Sequence, residues 1–148
     1  MKLAEALIER KSLKGRIDQI IQRMKENVVF LEGNTHDEDF AELEKTYESM
    51  LARFESIANR INNTNNKTML NDQYTIAEAI TKRDCIKSKI AACRAVKEAV
   101  PSSRRHLSSS YVLTINMKEY QKKIDDLARQ FRELDTKIQG LNWNTELL

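Results

Sequence analysis

The sequence contains the same helical pattern twice. Residues 3–7 (Leu-Ala-Glu-Ala-Leu) correspond to residues 76–80 (Ile-Ala-Glu-Ala-Ile), and the same offset places Arg10 on Arg83. At a slightly larger offset an apolar series recurs: Phe40, Leu43, Tyr47, Met50, Phe54, Ile57 and Ile61 correspond to Met117, Tyr120, Ile124, Leu127, Phe131, Leu134 and Ile138. An internal repeat dictates architecture. The 148 residues therefore predict a single domain, 1–148, that contains two hairpins at 3–65 and 76–142 and an Asn-rich linker at 62–74.

Apolar residues in all four predicted helices are spaced alternately three and four apart, which is the heptad pattern of coiled coils. The composition agrees, because 32% of the residues are charged, 6% are aromatic, and only three Gly and one Pro interrupt the chain. Such a profile is typical of long helices. We therefore predict an all-α fold in which two duplicated antiparallel hairpins form a four-helix bundle or coiled coil.

Local signals predict where the helices begin and end. Capping boxes at Thr35–Glu38 and Thr75–Glu78 indicate the starts of the second and third helices. The second helix is expected to end near Ile61, because the Asn side chains that follow compete with the helical backbone for hydrogen bonds. The third is expected to end before Pro101, which cannot continue a helix.

Both hairpin connections carry a segment with strand propensity. Residues 28–31 (Val-Val-Phe-Leu) and 110–115 (Ser-Tyr-Val-Leu-Thr-Ile) are rich in β-branched and aromatic residues, which favour strands. Antiparallel helices would place both connections at one end of the bundle, where the segments can form a small two-stranded ribbon. An isolated ribbon is marginal in water, so it would need helices or a neighbouring subunit to support it.

Arg10 and Arg83 occupy equivalent positions on otherwise apolar stripes. A buried guanidinium needs a carboxylate partner. Antiparallel register predicts that Arg10 faces the region of Glu55 and that Arg83 faces the region of Asp135. One interpretation is a pair of ion pairs that set the helix register. The alternative is a ligand site formed by Arg10, Arg83, Glu55 and Asp135, in which the two arginines bind one anion.

Narrow heptad stripes also suggest self-association, because hairpins with exposed stripes can bury them against another copy. We therefore predict that the partner is another copy of this chain and that the protein forms a homo-oligomer. The predicted assembly residues are Tyr47, Phe54, Ile61, Ile124, Phe131 and Ile138.

Other functional classes find little support. Two His and two Cys at these spacings form no zinc template, and neither a Gly-rich phosphate loop nor a Glu-x-x-His di-iron pattern occurs. We predict no catalytic residues, no metal, no cofactor and no enzyme activity. The net charge is only +3, and charged residues of both signs alternate along the helices. A nucleic-acid interface would instead show a concentrated basic patch, so we predict no nucleic-acid partner. Without a run of about 20 apolar residues or a signal peptide, a cytoplasmic location is expected.

Several motifs resemble a family of small bacterial proteins labelled septicolysin-like. They are Met1-Lys2-Leu3-Ala4-Glu5-Ala6-Leu7, residues 59–65 (Asn-Arg-Ile-Asn-Asn-Thr-Asn), Arg83-Asp84, residues 134–139 (Leu-Asp-Thr-Lys-Ile-Gln) and residues 142–147 (Asn-Trp-Asn-Thr-Glu-Leu). The resemblance implies a helical bacterial protein whose function is largely uncharacterised, and it supplies no catalytic residues.

The predicted function is a self-assembling scaffold or binding module without catalysis. The first alternative is a membrane-active cytolysin, as the label of the resembled family implies. The second alternative is an anion or small-ligand binder that uses the paired arginines.

Overall fold

A computed structural model describes residues 1–35, 38–100 and 112–148. It contains four α-helices: α1 (Leu3–Glu26), α2 (Phe40–Lys67), α3 (Ile76–Glu98) and α4 (Met117–Asn144). The described residues contain no β-strand, only isolated antiparallel bridges between Lys2 and Glu146 and between Met69 and Thr75. The predicted all-α helical class is confirmed.

The chain forms two compact units, each containing one helical hairpin. The first unit comprises Met1–Thr68 together with Asn142–Leu148, and the second comprises Met69–Leu141. The predicted hairpins were 3–65 and 76–142; in the structure the last seven residues, Asn142–Leu148, belong to the first unit.

In the first unit, α1 and α2 pack against each other along the predicted stripes. Leu13, Ile17 and Ile20 of α1 are buried, as are Leu43 and Ile57 of α2. Each such side chain stabilises the fold by about 1.5–3 kcal/mol relative to full exposure. Leu43 and Ile57 belong to the apolar series that the sequence predicted for α2.

The predicted capping box at the start of α2 is wrong. The helix begins at Phe40, and the Asp39 carboxylate caps it by accepting hydrogen bonds from the backbone N–H groups of Ala41 (2.8 Å) and Glu42 (3.3 Å). Glu38 instead accepts a hydrogen bond from Arg23 Nε at 2.8 Å. A charged partner on α1 thus replaces the local capping contact. His36 and Asp37, inside the predicted box, lie outside the described residues.

The predicted two-stranded ribbon is also not formed by the described parts of its two segments, residues 28–31 and 112–115. Ser110 and Tyr111 lie outside the described residues. After the first segment the chain turns at once, because Asn34 donates a backbone hydrogen bond to Leu31 (3.0 Å) and Gly33 adopts a φ of 90°. Strand propensity alone does not produce a strand where no neighbouring strand supplies hydrogen bonds.

Contrary to expectation, α2 continues through the Asn-rich residues 62–66 to Lys67. Thr64 lies fully buried in this stretch, and its hydroxyl accepts a hydrogen bond from the backbone N–H of Leu148 at 3.0 Å. Leu147 donates to the carbonyl of Met1 and Leu3 donates to that of Thr145, both at 2.9 Å. These contacts extend the helix because burial outweighs the weak helix propensity of Asn.

In the second unit, α3 begins at the predicted capping box. Thr75 N–H donates to the Glu78 carboxylate at 2.8 Å, and Glu78 N–H donates to the Thr75 hydroxyl at 3.3 Å. The helix ends at Glu98, before Pro101 as predicted. The core of this unit joins Ile86, Ile90 and Cys93 of α3 to Ile124 of α4, with half-buried Tyr120, Leu127, Ala128, Phe131 and Leu134 packed around it.

Candidate binding surfaces

Arg83 forms an ion pair with Asp135, the partner that the antiparallel helix register predicted. Its Nη1 lies 3.1 Å from the Asp135 carboxylate on α4, and its Nε lies 3.0 Å from the carboxylate of the neighbouring Asp84. Partial burial lowers the pKa of Arg83, but the hydrogen bonds to Asp84 and then Asp135 outweigh it and raise the pKa above its usual value. The positive charge is thus compensated by two carboxylates, as a partly buried guanidinium requires.

Arg10 behaves differently from its repeat equivalent. It is half-buried, yet it forms no ion pair with any residue of the described chain, and the same holds for Glu55. The ion pair formed between α1 and α2 in this stretch joins Glu9 to Arg53, whose Nε donates at 2.8 Å. The predicted pairing of Arg10 with Glu55 is therefore not formed.

The predicted assembly residues divide into two groups. Ile61, Ile124 and Ile138 are buried within the chain, so they are not accessible to a second copy. Tyr47, Phe54 and Phe131 are half-buried. Other exposed apolar side chains are therefore also candidates for a contact with another copy.

One such group is Val28–Leu31, called here the apolar segment. Its four consecutive side chains are between 58% and 77% exposed. The segment follows α1 directly, and Asn27 supports it by donating a side-chain hydrogen bond to the Arg23 carbonyl (2.9 Å) and accepting one from the Glu38 N–H (3.1 Å). Exposed apolar runs of this kind are typical of interaction sites.

A small cavity of about 180 Å³ lies in the second unit. We call it the Tyr74 pocket; its apolar lining residues are Leu70, Ile86 and Leu134, and its polar ones are Asn71, Tyr74, Lys82, Gln130, Glu133 and Lys137. The turn before α3 contributes Leu70, Asn71 and Tyr74, and α3 contributes Lys82 and Ile86. The remaining four lie on α4: Gln130, Glu133, Leu134 and Lys137. Sequence analysis missed this pocket because no local motif links the turn to α4.

The tyrosine hydroxyl at this pocket lies in a positive environment. Lys82 Nζ donates a hydrogen bond to the Tyr74 hydroxyl at 3.1 Å and lies 4.6 Å from the centre of its ring. This hydrogen bond, a second one from Asn71 and the charges of Lys82 and Lys137 lower the pKa of Tyr74. Lys137 and Glu133 form no ion pair with another residue in the described ranges.

A larger pocket of about 530 Å³ lies between the end of α3 and the start of α4. Three of its polar side chains bind one another, because Lys97 donates to the Gln121 side chain, which donates in turn to Asp125 at 2.9 Å. Arg94 and Glu98 also line this pocket.

The described residues contain no group of three His, Cys, Asp or Glu side chains placed to hold a metal ion. Within the same ranges, no helix is both long enough and apolar enough to cross a bilayer.

Residues 10–147 match the model of a family described as a family of unknown function (DUF6847). The chain belongs to this family. A crystal structure of a functionally unknown conserved protein from Corynebacterium diphtheriae is similar to the chain with 32% sequence identity and a TM-score of 0.91. The similarity covers 100% of this chain and 99% of that protein. No curated protein matches the chain.

Membership in this family agrees with the uncharacterised function that the sequence resemblance implied. Neither the family description nor the description of the solved structure mentions a septicolysin or a toxin. The finer septicolysin-like assignment is therefore supported only by the sequence motifs. The chain is a helical-bundle protein of a family without an assigned function.

Proposed function

We propose that the protein is a self-assembling binding module without catalysis, in which two copies associate through the apolar segment. The observation that carries this proposal is the exposure of four consecutive apolar side chains beside a helix end held by polar contacts. Burial of such side chains is the main favourable term in most protein association.

A second copy of the same segment is a suitable partner for three reasons. The segment contains no charge, so two copies meet without repulsion. Its residues favour strands, but the N–H groups of Val28, Val29 and Leu31 donate no hydrogen bond to any described residue. Antiparallel pairing of two identical segments would supply these partners and close at two copies, because such an interface is isologous.

The expected association is weak and depends on concentration. Burying the exposed parts of eight such side chains gives on the order of 10 kcal/mol before losses, which is similar to the entropic cost of association. The α1 ends that precede the segments would provide the support that a two-stranded ribbon needs.

Fewer structural observations support the two alternative functions than support self-assembly. Arg83 already has two carboxylate partners, so we do not base a function on the arginine pair. A membrane-active role would use the same exposed apolar residues and is distinguished by experiment.

The test compares the wild type with a Val29→Lys/Leu31→Lys double variant by sedimentation and native mass spectrometry across a concentration series. Ile8→Lys is the matched control, because Ile8 is also apolar, 60% exposed and in the same unit. We expect a dimer in the wild type and in the control, and a monomer in the double variant. A monomeric wild type, or a dimer that survives both lysines, would overturn the proposal. Dye release from anionic liposomes by the wild type would replace it with the membrane-active function.

A further inference from the structure

We infer that the Tyr74 pocket binds a small monocarboxylate with a short apolar chain. The cavity combines apolar walls from Leu70, Ile86 and Leu134 with donors from Tyr74, Lys82 and Lys137. Its volume of about 180 Å³ is below the range typical of drug-sized ligands, which limits the ligand to a few heavy atoms. This inference is independent of self-assembly.

The donors are positioned before a ligand arrives. Asn71 fixes the turn by accepting backbone hydrogen bonds from Gln73 (2.9 Å) and Tyr74 (3.1 Å), while Leu70 N–H donates to the Tyr74 carbonyl at 2.9 Å. Lys82 is held against the Tyr74 ring and hydroxyl. Such preorganisation reduces the entropy that binding must overcome.

The hydrogen-bonding capacity that remains fits an anion. The Tyr74 hydroxyl accepts from Lys82, which leaves its own proton for an external acceptor, and the Lys82 ammonium retains two further donors. Lys137 adds a cation without an ion-pair partner among the described residues. Glu133 brings one negative charge to the rim, so the two lysines leave a net charge of about +1, which favours a monoanion.

The apolar walls distinguish an organic acid from an inorganic ion. Ile86 lines the cavity and belongs to the buried core of the unit. An alkyl chain that contacts these walls removes apolar surface from water, whereas inorganic phosphate cannot. Butyrate should therefore bind more tightly than acetate or phosphate.

The experiment titrates the full chain, labelled for NMR, with butyrate, acetate, inorganic phosphate and the uncharged 1-butanol. We expect saturable shifts at the amides of Asn71, Tyr74 and Lys82 with butyrate in the millimolar range, and weaker binding of the other three compounds. Lys82→Met and Lys137→Met should each weaken butyrate binding by about tenfold. Tyr74→Phe should weaken it while leaving the ring in place.

Lys122→Met is the matched control, because Lys122 is exposed on α4 and does not line the cavity. It should change the affinity by less than about twofold. The inference is overturned if butyrate causes no saturable shift, if phosphate binds as tightly as butyrate, or if Lys122→Met weakens binding as much as Lys137→Met.

Discussion

Arg83 on α3 and Asp135 on α4 form an ion pair with their Nη1 and Oδ1 atoms 3.1 Å apart, although they are 52 residues apart in the sequence. The pair joins the two helices of the second unit at a half-buried position. Because the same guanidinium also binds Asp84, its charge is compensated on both sides. This contact links α3 to α4 at one point of their interface.

We predict that a double-mutant cycle of Arg83→Met and Asp135→Ala gives a coupling free energy of about 1 kcal/mol or slightly more, because partial burial reduces screening by water. The cycle of Arg129 and Asp126, an i,i+3 pair on the surface of α4, is the control and should give about 0.3 kcal/mol. Urea unfolding measures both. Equal coupling in the two cycles would show that burial does not strengthen the Arg83 pair.

Thr64→Val should lower the free energy of unfolding by about 1–2 kcal/mol, because the N–H of Leu148 loses its buried acceptor. Amide exchange at Leu3 and Leu147, which hydrogen-bond in the same contact, should accelerate. Thr46→Val is the control. The Thr46 hydroxyl donates to the carbonyl of Glu42, as the Thr64 hydroxyl does to that of Arg60, but Thr46 is exposed. Similar losses in both variants would argue against a role for the Leu148 contact.

The contact between the two ends of the chain should weaken in acid. The hydrogen bond from Lys2, followed by that from the amino terminus, lowers the pKa of the Glu146 carboxyl. A carboxyl with a lowered folded-state pKa stabilises the fold above its unfolded pKa, and this stabilisation is lost as the pH falls through the folded value.

The protection factor of the Leu147 amide, which corrects for the slower intrinsic exchange in acid, should therefore fall once the pH drops below the ordinary Glu pKa of about 4.3. In Glu146→Gln the protection factor should already be lower at neutral pH, and this acid step should disappear. Glu48→Gln, a change on the exposed face of α2, should retain the step. An acid step that persists unchanged in Glu146→Gln would assign it to another group.

Ile124→Ala should destabilise the second unit by about 2–4 kcal/mol, because it leaves a cavity beside Ile86, Ile90 and Cys93. Val112→Ala, at a side chain that is 86% exposed, should change the free energy of unfolding by less than about 0.5 kcal/mol. Calorimetry of both variants tests whether this cluster is the core. A loss below 1 kcal/mol for Ile124→Ala, expected of a site that is not packed, would contradict that assignment.

The start of α3 could be predicted from sequence, whereas the start of α2 could not. At Thr75 the capping groups bind residues within three positions, so local sequence contains all the information. At Glu38 the carboxylate binds Arg23, which lies 15 residues earlier. The competing partner is visible only once the chain has folded back on itself.

The two repeat-related arginines show the same limit. Arg83 forms the ion pair with Asp135 that the register predicted, whereas Arg10, which was expected to face the region of Glu55 to Asn59, forms no ion pair with Glu55. Equivalent positions on two stripes need not have equivalent partners, because a shift of one residue redirects a long side chain to another neighbour. Beside Arg10, it is Glu9 that pairs with a residue of α2, Arg53.

The sequence by itself determined the all-α class, the four helices and the apolar stripes that become their cores, because these depend on a periodicity that each helix carries locally. Tertiary structure alone decided that Leu148 binds Thr64, 84 residues away, and that α2 therefore continues through its Asn-rich residues. It also left the strand-prone apolar segment exposed and brought the turn at Tyr74 beside Lys137 on α4. These outcomes depend on contacts between residues that are far apart in the chain. The free energy of such contacts cannot be inferred from a local sequence pattern.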